Sequence, residues 1–139
     1  MVSMQMKIQF TRLFAMLVVV IAVGAMGKSV LACDCLRPVS TQEQVKRSSA
    51  VFVGIVTSAT RVDKQVVEFQ VEQYWKGPRA KKLTLRAPLN SCNFGFKVGE
   101  KYLVFAEGGK VLTTSICSGT KRFSAATADL NALGDGKKL

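Results

Sequence analysis

The stretch Gln65–Trp75, QVVEFQVEQYW, alternates apolar and polar residues along most of its length. Val67, Phe69 and Val71 occupy every second position, and the positions between them are glutamate or glutamine. Successive side chains of a strand point to opposite faces of a sheet, so this pattern predicts a long strand with one buried face. The turn signal Lys76-Gly77-Pro78 ends it.

Strand patterns also flank this stretch on both sides. They cover Ala50–Ser58, Lys81–Ala87, Lys101–Ala106 and Val111–Ile116, and Gly108-Gly109 predicts a hairpin turn between the last two. Short strands with bulge-prone glycines at Gly54, Gly95 and Gly99 predict a mostly β chain, a five-stranded Greek-key barrel of the OB type. A β-sandwich is the alternative, but it requires about seven strands.

A short helix is predicted near each end of the β region. Thr41–Ser48 follows a proline and can form two helical turns, with Ser40 or Thr41 as its N-cap. Ser124–Leu133 is predicted to begin with Ser124 as its cap and to end at Gly134. The tail Gly134–Leu139, GDGKKL, is predicted to be mobile.

The N-terminal segment, 1–32, has the features of an export signal. Lys7 and Arg12 precede the apolar run Leu13–Ala25, and small residues end at Ala32. A retained membrane anchor is the alternative, but about 13 apolar residues fall short of the roughly 20 that span a bilayer. We therefore predict a signal peptide over 1–32, a domain over 33–139 and a periplasmic or extracellular location, with Cys33 as the first mature residue.

The four cysteines, Cys33, Cys35, Cys92 and Cys117, all lie after the predicted signal. An even number of cysteines in a small exported domain predicts two disulfides, and four cysteines allow three pairings. A Cys33–Cys35 ring would be strained, so we expect one N-terminal cysteine to join each distant partner. A four-cysteine zinc site is the alternative, although the chain lacks the usual C-x2-C spacing.

The predicted mature chain is cationic. Residues 1–32 contain three of the 20 basic residues and none of the nine acidic ones, which leaves a net charge of +8 on residues 33–139. The basic residues are scattered and form only short pairs, which are Lys46-Arg47, Lys81-Lys82, Lys121-Arg122 and Lys137-Lys138. This pattern favours a solvated surface, and export argues against a nucleic-acid partner.

The composition argues against the common classes of hydrolase. The chain contains no histidine, which excludes the usual serine or cysteine triads and H-E-x-x-H zinc hydrolases. No glycine-rich phosphate loop follows a strand, and the carboxylates are dispersed. Glu68 and Glu72 share a strand face but fit solvated positions better than an acid–base pair. We therefore expect no enzymatic activity and no cofactor.

Six motifs occur in an order found in one known family. They are CDCLRP (33–38), AVFVGIV (50–56), FQVEQYWKGP (69–78), RAPLNSC (86–92), GEKYLVFA (99–106) and LTTSIC (112–117). Together they resemble the N-terminal, netrin-like domain of the tissue inhibitors of metalloproteinases, and the chain looks like a bacterial relative. The resemblance covers residues 33 to about 120.

The resemblance implies an OB barrel, a monomer, and disulfides between Cys33 and Cys92 and between Cys35 and Cys117. It also implies a zinc metalloprotease as partner, whose catalytic zinc is chelated by the backbone amine and carbonyl of Cys33. An α-amine with a pKa near 7.7–8.0 gives up its proton readily to a metal, and catalytic zinc keeps an open position. The implied protease-binding wedge consists of Cys33, Asp34, Cys35, Leu36, Arg37 and Pro38, with Ala87, Pro88, Leu89, Asn90 and Ser91 as its second edge.

Two positions depart from the family pattern. Asp34 stands where the animal inhibitors carry a small hydroxyl residue that enters the S1′ pocket of the protease, and burying an unpaired carboxylate in an apolar pocket costs several kcal/mol. Asn93-Phe94-Gly95 replaces the usual C-G step with two extra residues. The family's third disulfide has no counterpart among the four cysteines.

Three other functions stay open on the sequence alone. Netrin-like modules without inhibitor activity use C-x-C only to staple the barrel, so a binding module is the main alternative. Val30-Leu31-Ala32-Cys33 resembles a lipobox, and lipidation at Cys33 would block both its disulfide and its amine. An oligonucleotide-binding OB face would need exposed aromatic residues interleaved with basic ones, whereas the strand around Phe69 carries glutamates.

Overall fold

Two long antiparallel strands, β1 (Ala50–Arg61) and β2 (Gln65–Lys76), form the centre of the fold. The structure is a computed structural model that describes Cys33, Cys35 and residues 39–139. The predicted signal peptide, 1–32, lies outside the described residues. The remaining elements are α1 (Thr41–Arg47), β3 (Lys82–Ala87), β4 (Lys101–Ala106), β5 (Leu112–Thr113), β6 (Lys121–Arg122), a 3-10 turn (Phe123–Ala125), α2 (Thr127–Leu133) and β7 (Lys137–Lys138).

These strands belong to one mixed sheet that curls into a half-barrel. Its order is β5-β3-β2-β1-β4-β6, and β7 pairs with the far half of β2. Among these described strands, only β3 and β5 pair in parallel. Glu107, directly after β4, exchanges two backbone hydrogen bonds of 2.9 and 2.8 Å with Thr113 in β5, which links β4 to the first strand of this order.

In the described part of the chain the sheet has seven strands, where five were predicted. The two that the sequence does not indicate, β6 and β7, have two residues each, too few to show a periodic pattern. β5 is also shorter than predicted, because Thr114 turns its hydroxyl to the carbonyl of Phe105 (3.0 Å) and the chain leaves the sheet there. The mostly β class and the positions of β1–β4 agree with the prediction.

Hydrophobic layers cover both faces of β1 and β4. Inside the curl, Phe52 and Phe69 pack edge to face with ring centroids 5.4 Å apart. On the opposite face, Val51, Val53, Leu103 and Phe105 pack against Ala126 and against the helix residues Val45, Leu130 and Leu133. Because both faces are buried, the AVFVGIV run is continuously apolar, whereas β2 is half solvated and alternates.

A bulge at Gly54 bends β1 over β2. The pairing register shifts between Val53 and Gly54. A Cβ atom at this position would lie 2.9 Å from the carbonyl oxygen of Gln70, so only glycine allows so close an approach. The bulge expected at Gly54 is confirmed.

The helices follow the predictions in part. Ser40 is the N-cap of α1, and its hydroxyl accepts a hydrogen bond from the Glu43 amide (3.3 Å). The predicted cap of the second helix is wrong: Ser124 lies in the preceding 3-10 turn, and no side chain caps α2. Gly134 ends α2 with a positive φ of 67°, as expected for a glycine stop.

The predicted mobile tail is paired instead. Lys137 and Lys138 of β7 lie opposite Tyr74 and Gln73 of β2. The indole Nε1 of Trp75 also donates a hydrogen bond of 2.9 Å to the carbonyl of Gly134. The tail therefore covers the part of the β2 edge that β3 leaves open.

Candidate functional site

Both N-terminal cysteines are tied to segments that leave the same end of the sheet. Cys33 is bonded to Cys92, after β3, and Cys35 to Cys117, after β5, with Cα–Cα distances of 5.1 and 5.3 Å. This is the pairing that the resemblance implies. The bridges also touch, since Cys33 Sγ lies 3.9 Å from Cys117 Sγ. All four sulfurs are therefore oxidised, and none is a thiolate for the zinc alternative.

The implied wedge is described in part. Asp34, Leu36, Arg37 and Pro38 lie outside the described residues. The second edge starts at Ala87, which ends β3 and is buried opposite Gln65. It continues through Pro88, Leu89, Asn90 and Ser91. Leu89 is the most notable of these, because 46% of this large apolar residue is exposed.

Asparagine side chains hold this second edge in shape. The Asn90 side chain accepts a hydrogen bond of 3.0 Å from the amide of Cys92. Asn93 donates to the carbonyl of Pro88 and accepts from the amide of Gly95, both at 2.6 Å. Asn93 was predicted only as part of an altered step after Cys92, and its hydrogen bonds were not predicted, although asparagine two residues before glycine is a typical signal for such a turn.

Phe94, one of the residues in the extended step after Cys92, packs against the core. The Phe94 ring lies 5.0 Å from that of Phe96 and 5.6 Å from that of Tyr102. Burial of Tyr102, helped by the hydrogen bond that its hydroxyl donates to Glu100 (2.7 Å), raises the pKa of Tyr102 above its ordinary value of 10.0. The departure at Asn93-Phe94-Gly95 therefore adds an aromatic contact beneath the edge.

Three hydroxyl groups position the segment that carries Cys117. The Thr114 Oγ1 lies 2.7 Å from Ser118 Oγ and 2.8 Å from Thr120 Oγ1. Thr114 and Thr120 are buried, and both bond to the backbone of Phe105 in β4. The cluster ties the 114–120 segment to the sheet on either side of Cys117. Sequence reasoning missed it because three hydroxyl residues in a loop carry no periodic signal.

A groove of about 890 Å³ borders the second edge. Its walls include Ala87, Pro88, Leu89 and Cys117. The charged residues around it are Arg47, Lys64, Arg86, Asp63 and Glu107. Leu89 is therefore an exposed apolar residue in the wall of a groove of mixed charge. The same wall includes Cys117, which is bonded to Cys35.

Possible metal ligands are dispersed in the described part of the chain. Among Cys33, Cys35 and residues 39–139, no three Cys, Asp or Glu residues are grouped to hold a metal ion. Nor does any helix in these ranges have the length and apolar character to cross a bilayer.

No protein-family model matches the chain. A search of curated proteins finds no match either.

Proposed function

We propose that this protein is an exported metalloprotease inhibitor of the tissue-inhibitor type. The observation that carries the proposal is the pair of disulfides that hold Cys33 and Cys35, the segment that would begin the mature chain. One of them joins Cys33 to Cys92, which directly follows Ala87–Ser91 in the chain. The amine and carbonyl of Cys33 chelate the zinc of the target protease and displace the water that attacks its substrate. Because the disulfides already order the terminus, docking costs little conformational entropy.

The strand connections support an OB-type barrel as the scaffold. In this proposal β1–β5 are the barrel strands and β6 and β7 are additions. β1 pairs with β2 and β4, β3 pairs in parallel with β5, and the Glu107–Thr113 bridge links β4 to β5. A five-stranded Greek-key barrel has these connections.

The disulfide at Cys33 also supports a free N-terminal amine. Lipidation would put a thioether on the same sulfur that is bonded to Cys92. The two disulfides are compatible with an oxidising compartment, in agreement with export to the periplasm or medium. We therefore favour simple signal cleavage before Cys33 over a lipid anchor.

The test begins with the N-terminus of the protein recovered from an export host. Intact mass should give a chain that starts at an unmodified Cys33. That protein is then assayed against a panel of zinc endopeptidases, next to a variant with one alanine before Cys33 and a control with one alanine after Leu139. The extra N-terminal residue should abolish inhibition, and the control should retain it, while both keep their disulfides and thermal midpoint.

A second pair of variants tests the edge. Leu89→Ala should weaken inhibition because it trims an apolar side chain at the proposed contact, whereas Val98→Ala, at a residue that is 61% exposed outside the groove, should not. Asp34→Thr should strengthen binding to proteases with an apolar S1′ pocket, because it removes a charge that docking would bury. Inhibition that is indifferent to the N-terminal alanine would refute the chelate. An unmodified Cys33 without inhibition across the panel would favour the non-inhibitory binding module.

A further inference from the structure

Among the described residues, two of the four pairs of neighbouring cations contain residues that form ion pairs, and the other two do not. Arg47 pairs with Glu43, Lys121 with Asp129 (2.6 Å) and Arg122 with Glu100 (3.1 Å). Lys81-Lys82 and Lys137-Lys138 take part in none of the ion pairs between described residues. All four of these lysines are exposed. Their charges are therefore available to a partner.

The sheet brings these two free pairs to one edge of β2, although they are far apart in the chain. Lys82 lies opposite Gln70, and the Lys81 carbonyl accepts a hydrogen bond of 2.8 Å from the amide of Val71. Further along the same edge, Lys138 and Lys137 lie opposite Gln73 and Tyr74.

A strand advances about 3.3 Å per residue, so the four positions span about 13 Å of β2. Exposed Arg79 lies in the turn just before Lys81. We call Arg79, Lys81, Lys82, Lys137 and Lys138 the cationic ridge.

Few carboxylates oppose this charge. Glu72, next to the ridge on β2, is ion-paired with Lys101 (2.6 Å). Glu68 and Asp135 are the other carboxylates on the strands and tail concerned, and both are exposed. Five cations thus face two carboxylates without an ion pair among the described residues, which leaves a clear local excess of positive charge.

The cationic ridge lies outside the two concave surfaces. None of its residues lines the groove beside Leu89 or the smaller cavity of about 380 Å³ near Phe123. The nearby aromatic residues, Tyr74 and Trp75, are half-buried, and the Trp75 indole is bonded to Gly134, so neither offers an open face for stacking a nucleobase. Leu139, at the end of the ridge, is 36% exposed and adds apolar surface.

We propose that the cationic ridge binds the anionic phospholipid headgroups of a bilayer surface. Clusters of four to eight Lys or Arg residues are typical of segments that bind anionic lipid, and each such residue near the surface contributes about a fivefold increase in partitioning. The proposal is independent of protease inhibition, because it uses side chains on β2, β3 and β7 and neither the amine of Cys33 nor the edge at Leu89.

Co-sedimentation with vesicles tests the proposal. The protein from the export host is mixed with vesicles of about two parts phosphatidylcholine to one part phosphatidylglycerol, and with vesicles of phosphatidylcholine alone. All variants have the same N-terminus, so any contribution of residues 1–32 is common to them. The protein should sediment with the anionic vesicles in 0.1 M salt and not in 1 M salt, where the screening length is about 3 Å.

Matched double variants locate the contact. Lys81→Gln/Lys82→Gln and Lys137→Gln/Lys138→Gln should each lower partitioning about 30-fold, from about fivefold per lysine. The control, Lys97→Gln/Lys110→Gln, removes the same charge at exposed lysines outside the ridge, and its loss should stay below about fivefold. If β7 detaches when Lys137 and Lys138 are changed, the Lys81→Gln/Lys82→Gln variant still tests the proposal, because it leaves β7 unchanged.

Three results would overturn the proposal. The first is no binding to the anionic vesicles. The second is an equal loss in the control, which would mean that net charge rather than the ridge sets binding. The third is tighter binding of single-stranded DNA with the same dependence on the ridge lysines, which would assign the surface to nucleic acid.

Discussion

Removing either disulfide should destabilise the protein by nearly the same amount, although the bridges span 59 and 82 residues. In the chain-entropy model, a bridge contributes according to the length of the loop that it closes. While Cys35–Cys117 is intact, the shortest path from Cys33 to Cys92 runs through that bridge and contains only about 27 residues. The shortest path from Cys35 to Cys117 through an intact Cys33–Cys92 bridge has the same length. Closing a loop of about 27 residues contributes about 3.5 kcal/mol in this model. Without the second bridge the full loops would contribute about 4.3 and 4.5 kcal/mol.

The assay is equilibrium urea unfolding of Cys33→Ala/Cys92→Ala and Cys35→Ala/Cys117→Ala, in which no unpaired thiol remains. Each should lose about 3.5 kcal/mol, and the variant without either bridge should lose about 8 kcal/mol, more than the sum of the two. Since small domains have only about 5–15 kcal/mol of stability, the last variant should be largely unfolded if the total is near the lower end. A loss below about 1 kcal/mol for either bridge, or a loss in the variant without either bridge that does not exceed the sum of the two single losses, would refute the coupling of the two loops.

Two further predictions concern stability. Gly77→Ala should cost about 2–3 kcal/mol in urea unfolding, because Gly77 has a φ of 96° and a Cβ there would lie 2.8 Å from the Cβ of Ala50. Gly109→Ala, with nothing within 4 Å, should change stability by less than about 0.5 kcal/mol, and equal losses in the two variants would contradict this account. The raised pKa of Tyr102 means that the folded state disfavours its ionisation, so this contribution is intact below pH 10 and falls as the pH rises above it. Tyr102→Phe should remove that part of the alkaline loss when unfolding is compared at pH 8 and pH 10.5, and an unchanged slope would show that other groups cause it.

Local patterns were enough to place the long elements. The alternation from Gln65 to Trp75 marks β2 because each residue's face follows from its position in the strand. Alternation cannot predict β7, because a strand of two lysines is too short to show a periodic pattern. These lysines pair with β2 because its edge is open beyond β3. The local pattern also fails at Ser124, where burial of Ala126 against Phe105 delays the start of α2.

For the candidate site, the sequence suggested candidate residues but not the contacts that hold them. The motif around Ala87–Cys92 pointed to the second edge, whereas the roles of Asn93 and Thr114 depend on hydrogen bonds made across loops. Likewise, the pairs Lys81-Lys82 and Lys137-Lys138 look scattered in the chain and become neighbours only through strand pairing. Contacts of this kind depend on the tertiary structure, which single-sequence periodicity does not contain.

The pairing of the tail with β2 also bears on self-association. An uncovered strand edge is a template on which a second chain can add its own strand, and lysines on an edge strand oppose such growth through repulsion and hydration. β7 covers the open half of β2. Among the described strands, none pairs with the other edge of β7, whose two residues are Lys137 and Lys138. Shortening the chain at Gly134 would therefore uncover backbone donors and acceptors beside Trp75, and the truncated protein should aggregate at concentrations at which the full-length protein remains dispersed.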